Sequence, residues 1–444
     1  METGNRSSSG AGLGASGVLC LITTVFLLQT LLENYFYNTS YLDEAIAALF
    51  FGYFLLDTLL NMQIRTGDLA ICCLIVLTAA AGVYGNIRFG IQDNQSAILI
   101  DIVSHFKFAV MALGVNAFCR VNSVDYRSVV RLPALIAKFY IVVMFIFGVL
   151  NLFVNLGMYG EYRYGLRTYA FIFGTPGIVT NTTLFIIMLL LMESALYSGK
   201  RNTLYLVLSE AVLCMVIKSR SLIIAAVFLL LYVSLIVERK SSMVVRTAVI
   251  MVVAGLIGYP QYQKYFVNGV RANVGKSPRL LFLQGGTQLF KEYFPFGTGF
   301  GTFGSSTAAS HYSSLYYTLG FNRIEGMKPN DPKYLNDTFW PMIFGQLGFA
   351  GTVPFVLLFL GVLFRLYNRA RESGNPYVRL AAFLYVVNAM VSSIQSNYPG
   401  NNSMVMMTFI VTMMPFAVIA GGQEAEDSRT VRSASVMREV RDGR

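Results

Sequence analysis

Two stretches of this chain combine cationic and aromatic side chains in a way that suits an anionic, sugar-bearing ligand. The segment 156–174 (LGMYGEYRYGLRTYAFIFG) sets Arg163 and Arg167 among tyrosines. Arg grips phosphate oxygens in a bidentate fork, and Tyr stacks on the apolar face of a pyranose. The same composition equally describes an interfacial aromatic belt with Arg at lipid headgroups. The segment 260–339 carries Lys264, Arg271, Lys276, Arg279, Lys291, Arg323, Lys328 and Lys333 against Glu292, Glu325, Asp331 and Asp337, an excess of positive charge. Within it, "YFPFGTGFGTFG" (293–304) spaces Gly297, Gly299 and Gly301 much as a nucleotide-binding loop does. A dinucleotide fingerprint needs a strand before its glycines, a helix opening from them and an acidic residue about 20 positions on. None of these fits, so the run reads as a tight turn that brings backbone close to a neighbour.

The elements that position these groups are membrane spans. The 444 residues are 55% hydrophobic and 13% charged, and the mean hydropathy is +0.57. Runs of about 17–25 apolar residues can cross the hydrocarbon. Twelve candidates stand near 15–32, 43–61, 68–84, 96–118, 132–155, 175–197, 203–217, 221–237, 244–259, 340–364, 378–396 and 402–420. Basic residues are retained on the cytoplasmic side. With the N-terminus inside, 19 Lys and Arg fall in cytoplasmic segments, against five (Arg88, Arg163, Arg167, Lys218, Arg220) in the short outer connections.

The expected organisation is therefore an all-α polytopic membrane protein with both termini cytoplasmic. Residues 1–14 form the N-terminus, 15–259 hold helices one to nine, and 260–339 form a large extracytoplasmic loop. Helices ten to twelve occupy 340–420, followed by a polar tail over 421–444 that reads as disordered. The first apolar run lacks a small-residue cleavage site and reads as an uncleaved span. The net charge of +11 is scattered over short connections beside the bilayer, so topology accounts for it and no nucleic-acid partner is expected. Cys20, Cys72, Cys73, Cys119 and Cys214 lie in or at the ends of spans, so no disulfide framework is expected. His105 and His311 are the chain's two histidines and stand far apart, which argues against a His-based metal site.

Four pieces of the chain, in order, resemble the O-antigen polymerase and ligase family. Arg279 with "LLFLQGGTQLFKEYFPFGTGFG" is similar to the family's R…P-x-G-x-G-x-G segment in its large outer loop. "NDTFWPMIFGQLGFAG" (336–351) is similar to the start of the span after that loop. "KSRSLIIAAVFLLL" (218–231) and "YGLRTYAFIFGTPGIVTN" (164–181) resemble its S-R at an outer span start and its R…F…P segment. The resemblance covers about 160–365; the first five spans agree only in being hydrophobic.

The resemblance implies a GT-C-like architecture and a glycosyltransferase of the bacterial cytoplasmic membrane, working on its outer face without a cofactor. Its donor is a polyprenyl diphosphate-linked oligosaccharide, and its pathway partners are a flippase and a chain-length regulator. A polymerase moves the growing glycan onto the next lipid-linked repeat unit, whereas a ligase moves it onto another lipid acceptor. Breaking the anomeric carbon–diphosphate bond loads negative charge onto the departing phosphate, which fixed cations stabilise more in the transition state than in the ground state.

The cations that fit are Arg279, Arg220 and Arg167, with Arg163 and Lys218 in support; Gly297, Gly299, Gly301 and Asn336 complete the expected binding set. Arg220 opening a span would equally snorkel to the headgroups. Arg163 and Arg167 are four apart and share a helix face if that segment is helical; only one need be functional, and Arg167 fits the motif better. Where the ligase branch commonly has His before the post-loop span, this chain has Asp337, which favours a polymerase. Asp337 is then either the base for the acceptor hydroxyl or a helix N-cap. His311, in "AASHYSS", is either an alternative base or merely exposed. A transporter of lipid-linked oligosaccharide also suits twelve spans, but not a long Arg- and Gly-bearing loop on one face. A scaffold without chemistry leaves the outer arginines without a purpose.

Charges within spans are costly and face a partner or a cavity. Asp101 and His105 share a face of the fourth span, and Lys107, Lys138, Glu193 and Glu210 also fall within spans. Pairing between helices is the expectation; a portal for the lipid diphosphate is the alternative.

Overall fold

In the computed structural model the described residues are 7–35, 41–163, 165–197, 202–237 and 277–421, with isolated positions between 252 and 263. The expected ninth span, the loop before residue 277, the tail beyond 421 and the basic residues Lys200, Arg201, Arg239, Lys240 and Arg246 lie outside them.

Twelve helices longer than five residues order the described chain. They are α1 Ser7–Tyr35, α2 Leu42–Asn61, α3 Thr66–Phe89, α4 Gln95–Val121, α5 Tyr126–Phe153, α6 Pro176–Leu196, α7 Thr203–Met215, α8 Ser219–Tyr232, α9 Pro278–Glu292, α10 Trp340–Glu372, α11 Pro376–Gln395 and α12 Asn402–Gly421. A hairpin, β1 Tyr159–Arg163 with β2 Leu166–Tyr169, joins α5 to α6. Nine helices among the described residues are long and apolar enough to cross a membrane, the signature of a multi-pass membrane protein.

Three of the expected spans stand apart from these nine. One lies outside the described residues. The second, α2, carries Asp43, Glu44 and Asp57 and packs along α4. The third, α7, has 13 residues, about 20 Å at the helical rise and short of the hydrocarbon thickness.

Charges inside the helices are matched. Lys107 Nζ stands 2.7 Å from Asp43 and 2.6 Å from Glu44, which ties α2 to α4. Lys138 stands 2.7 Å from Glu193, joining α5 to α6. His105 Nδ1 is 2.7 Å from the Asp101 carbonyl one turn back. Glu210 departs from the pattern, since its Oε2 is buried with no hydrogen bond among the described residues.

Helix α9 and the segment between it and α10 fold around an apolar core of their own, in which Phe282, Leu289, Phe303, Leu315, Tyr316 and Phe321 are buried together. It docks on the bundle at a break in α10. Gly348 has φ 55° and ψ −157°, outside the helical region, so carbonyls and amides around it lose their partners within the helix. The glycine run replaces them: Thr298 N donates to Gly345 O (3.0 Å), Gly299 N to Gln346 O (2.9 Å), and Ala350 N to Pro295 O (2.8 Å). A broken helix at membrane depth is stable only where protein satisfies its backbone in this way.

Candidate functional site

The 159–169 segment is a hairpin rather than a helix, which changes what its two arginines can do. Across the ladder Tyr162 faces Arg167 and Arg163 faces Leu166. Cross-strand partners share a face and neighbours along a strand alternate, so Arg163 and Arg167 project to opposite sides of the ribbon. The four-residue spacing that would align them on a helix separates them here. Arg163 pairs with Glu161, two positions back on its own face, at 2.9 Å. Arg167 turns away and donates to the Leu152 carbonyl at the end of α5 (3.1 Å).

The second segment is the start of α8. Ile217 has φ +53°, a left-handed conformation rare for a β-branched residue, and it turns the chain sharply out of α7. Lys218 follows, its amide on Ser221 Oγ (3.2 Å) and its carbonyl accepting from the same hydroxyl (2.8 Å). Arg220 is 8% exposed. Its guanidinium donates to Gly177 O (2.9 Å) and Asn181 Oδ1 (2.7 Å) on α6 and lies 6.0 Å from the Tyr398 ring centroid. Arg220 thus points into the protein and does not snorkel.

The third and fourth segments are the two ends of the loop domain. Ser277 Oγ accepts from Leu280 N (3.4 Å) and caps α9, placing Arg279 in its first turn. Arg279 Nη2 lies 3.8 Å from Asp337 Oδ2. The helix after the loop takes Phe339 as its N-cap residue and has no side-chain cap, so Asp337 does not cap it. Asn336 beside it is exposed, with Nδ2 3.5 Å from Ser306 Oγ.

Electrostatics tie these segments into one neighbourhood. Lys218 feels Glu161, Arg163, Arg220 and Arg279, and Asp337 feels Arg279 and Lys218. Burial, reinforced by three neighbouring cations and opposed by Glu161, pushes the Lys218 ammonium below its ordinary value. Burial lifts the Asp337 carboxyl, while Arg279 and Lys218 pull it back. With 41% of that side chain open to solvent, the lift is limited. Four cations therefore meet two carboxylates, a surplus suited to a dianion, and one carboxylate is placed to take a proton.

The glycines and His311 have other roles. Gly297, Gly299 and Gly301 all have positive φ (75°, 92° and 72°) and are buried. Their amides donate to Tyr293 O, Gln346 O and Asp101 Oδ2, so none of the three is left to hold a phosphate. What the tight turn approaches is the protein: a Cβ on Gly297 would overlap the backbone of Gln346 and Gly348, and one on Gly299 would overlap Asn86. His311 Nε2 lies 3.0 Å from Asn94 Nδ2 and Nδ1 lies 3.1 Å from Thr307 O. The Asn94 carbonyl oxygen already caps α4, so its amide donates to Nε2 and the ring proton sits on Nδ1. Both ring nitrogens are engaged in fastening the loop to α4, which leaves no free base.

Three participants escaped the sequence reading. Glu161 sits beside Arg163, Asn181 closes the quoted 164–181 stretch, and Tyr398 lies in the Asn-rich connection before α12. Their signal was weak, because polar residues at short connections are what any membrane protein shows. No family model matches this chain, and no curated protein matches it.

Proposed function

We propose that this protein is a surface-polysaccharide polymerase. It transfers a growing glycan from polyprenyl diphosphate onto the next lipid-linked repeat unit at the outer face of a bacterial cytoplasmic membrane. The observation that carries this reading is the gathering of Arg163, Arg220 and Arg279 from three separate segments around Lys218, with Asp337 beside Arg279 and Lys218. In the reaction an acceptor hydroxyl oxygen attacks the anomeric carbon, the bond to the diphosphate breaks, and the electron pair leaves on the phosphate. Arg279, Arg220 and Lys218 steady that charge, and Asp337 accepts the hydroxyl proton. Asp337 in place of a His before α10 supports the polymerase over the ligase.

The test is the chain-length ladder of a strain carrying Arg279→Ala. Long polymer is lost and single lipid-linked units persist while the protein still accumulates, with a rate loss of about 10²–10³. Arg220→Ala gives the same phenotype, and Arg220→Lys separates the loss of bidentate contact from the loss of charge. A normal ladder from Arg279→Ala removes the reading.

A further inference from the structure

A second charged cluster stands at the other end of the helices that hold the glycine run. That run touches the C-terminal part of α3 (Asn86), the connection after it (Gln92) and the N-terminal parts of α4 (Asp101) and α10. The second cluster uses the start of α3 and the last turns of α4 and α10. Arg365 of α10 donates to Asp68 Oδ1. Arg120 of α4 pairs with Asp57 (2.8 Å) and stands 3.6 Å from Asp68. Arg369, one turn beyond Arg365, donates to the neutral Asn116 Oδ1 and feels Arg365, Asp68, Arg65 and Arg120.

Arg120 and Arg365 thus share two carboxylates, Arg369 has a hydrogen-bond partner that carries no charge, and the exposed Arg65 adds a further cation felt by Arg369. Two buried donors in the cluster also lack a hydrogen bond among the described residues. Asn116 is 2% exposed and its Nδ2 makes no hydrogen bond among the described residues; its orientation is fixed because Oδ1 receives Arg369. Arg120 Nη1 is also buried and makes no hydrogen bond among the described residues, its nearest carboxylate oxygen being Asp68 Oδ2 at 3.6 Å. Asn116 and Arg120 are four apart on α4, so both donors lie on one face. Buried donors without acceptors are rare in folded proteins, and together with surplus guanidiniums they define a place for an anion.

We propose that Arg65, Arg120, Arg365 and Arg369, with the Asn116 amide, bind a phosphate group. The distribution of Lys and Arg expects this end of the bundle to be cytoplasmic, where basic pockets between helices meet the headgroups of anionic phospholipids. The same donors would take free inorganic phosphate.

The experiment is thermal unfolding of the full chain in neutral detergent with added phosphatidylglycerol, phosphatidylcholine or inorganic phosphate. Phosphatidylglycerol raises Tm and phosphatidylcholine does not. Arg369→Gln raises the half-saturating lipid concentration about tenfold. Arg371→Gln, which removes an exposed charge two residues away, leaves it within about twofold. A shift with phosphate alone that blocks the lipid response assigns the site to free phosphate; a lipid response indifferent to phosphate assigns it to a headgroup. Equal shifts with both lipids and none with phosphate, or an unchanged response in Arg369→Gln, overturn the site. Should Arg369→Gln fail to accumulate, Asn116→Asp asks the same question by building an anion into the cluster. It raises Tm without ligand and abolishes the response; retention of the full response overturns the proposal whatever the Tm.

Discussion

Arg279 and Asp337 face each other at 3.8 Å, although one opens α9 and the other ends the loop before α10. A partly exposed pair at this distance contributes only about 0–1 kcal/mol to stability. Its weight is positional: it closes the two ends of the loop domain over the start of α8, where Lys218 feels Arg279 and acts on Asp337.

Asp337 makes activity and stability move in opposite directions with pH. Burial holds its carboxyl above the ordinary 3.8, against the pull of Arg279 and Lys218. As a base it works only when ionised, so turnover is lost as pH falls through the raised value. The folded state holds the proton better than the unfolded chain, so stability present at low pH is lost as pH rises through that same value. Asp337→Asn removes the acidic limb of the pH–rate profile and lowers turnover by about 10²–10⁴. An unchanged acidic limb in Asp337→Asn assigns the proton transfer to another group.

Lys218 sets the alkaline side. Burial first, and then Arg163, Arg220 and Arg279, lower its pKa from 10.5 despite Glu161. Turnover falls as pH rises through the lowered value because a cation is lost beside the diphosphate. Stability rises over that interval, since the unfolded chain binds the proton more tightly. Lys218→Arg moves the alkaline limb upward, because a guanidinium stays charged. A limb that stays in place shows that Lys218 does not face the substrate.

The glycine run is a packing device, and one pair of substitutions tests that. Gly299→Ala meets both an unfavourable φ of 92° and the Asn86 side chain and backbone. Strain of about 1–3 kcal/mol and overpacking of about 1–3 kcal/mol both apply. Gly320→Ala has a similar strain, φ 73°, but open space around its Cβ. Thermal unfolding in detergent shows Gly299→Ala as the less stable of the two by several degrees. Equal Tm values contradict the docking role.

How much of this was legible depends on the residue. Apolar runs revealed the helical membrane architecture, because hydrocarbon thickness is written directly into sequence length. Length also betrayed α7, whose 13-residue helix was read as a span by adding Val216 and Ile217, where the backbone already turns. The shared face of Arg163 and Arg167 was conditional on a helix, and the condition is not met: on the hairpin the period is two, so spacing of four separates them. The break at Gly348 was hidden inside "GQLGFAG", since a glycine in an apolar run gives no sign of whether a distant segment will satisfy the freed backbone. Arg279 stood out because it precedes the glycine turn in a loop whose topology calls for no basic charge, and Asp337 because it stands just before the post-loop span, whereas Tyr398 and Asn181 are ordinary connection and helix residues until folding brings them to Arg220.

The central claim is that the clustered cations hold a lipid diphosphate while a glycosidic bond forms. Purified protein is incubated with lipid-linked repeat units, without nucleotide sugar or divalent metal, and the products are resolved by size. The account predicts dimers and longer oligomers from the native chain and single units alone from Arg279→Ala. Passage of the lipid-linked unit across vesicles with no new glycosidic bond, or equal oligomers from both proteins, would contradict it.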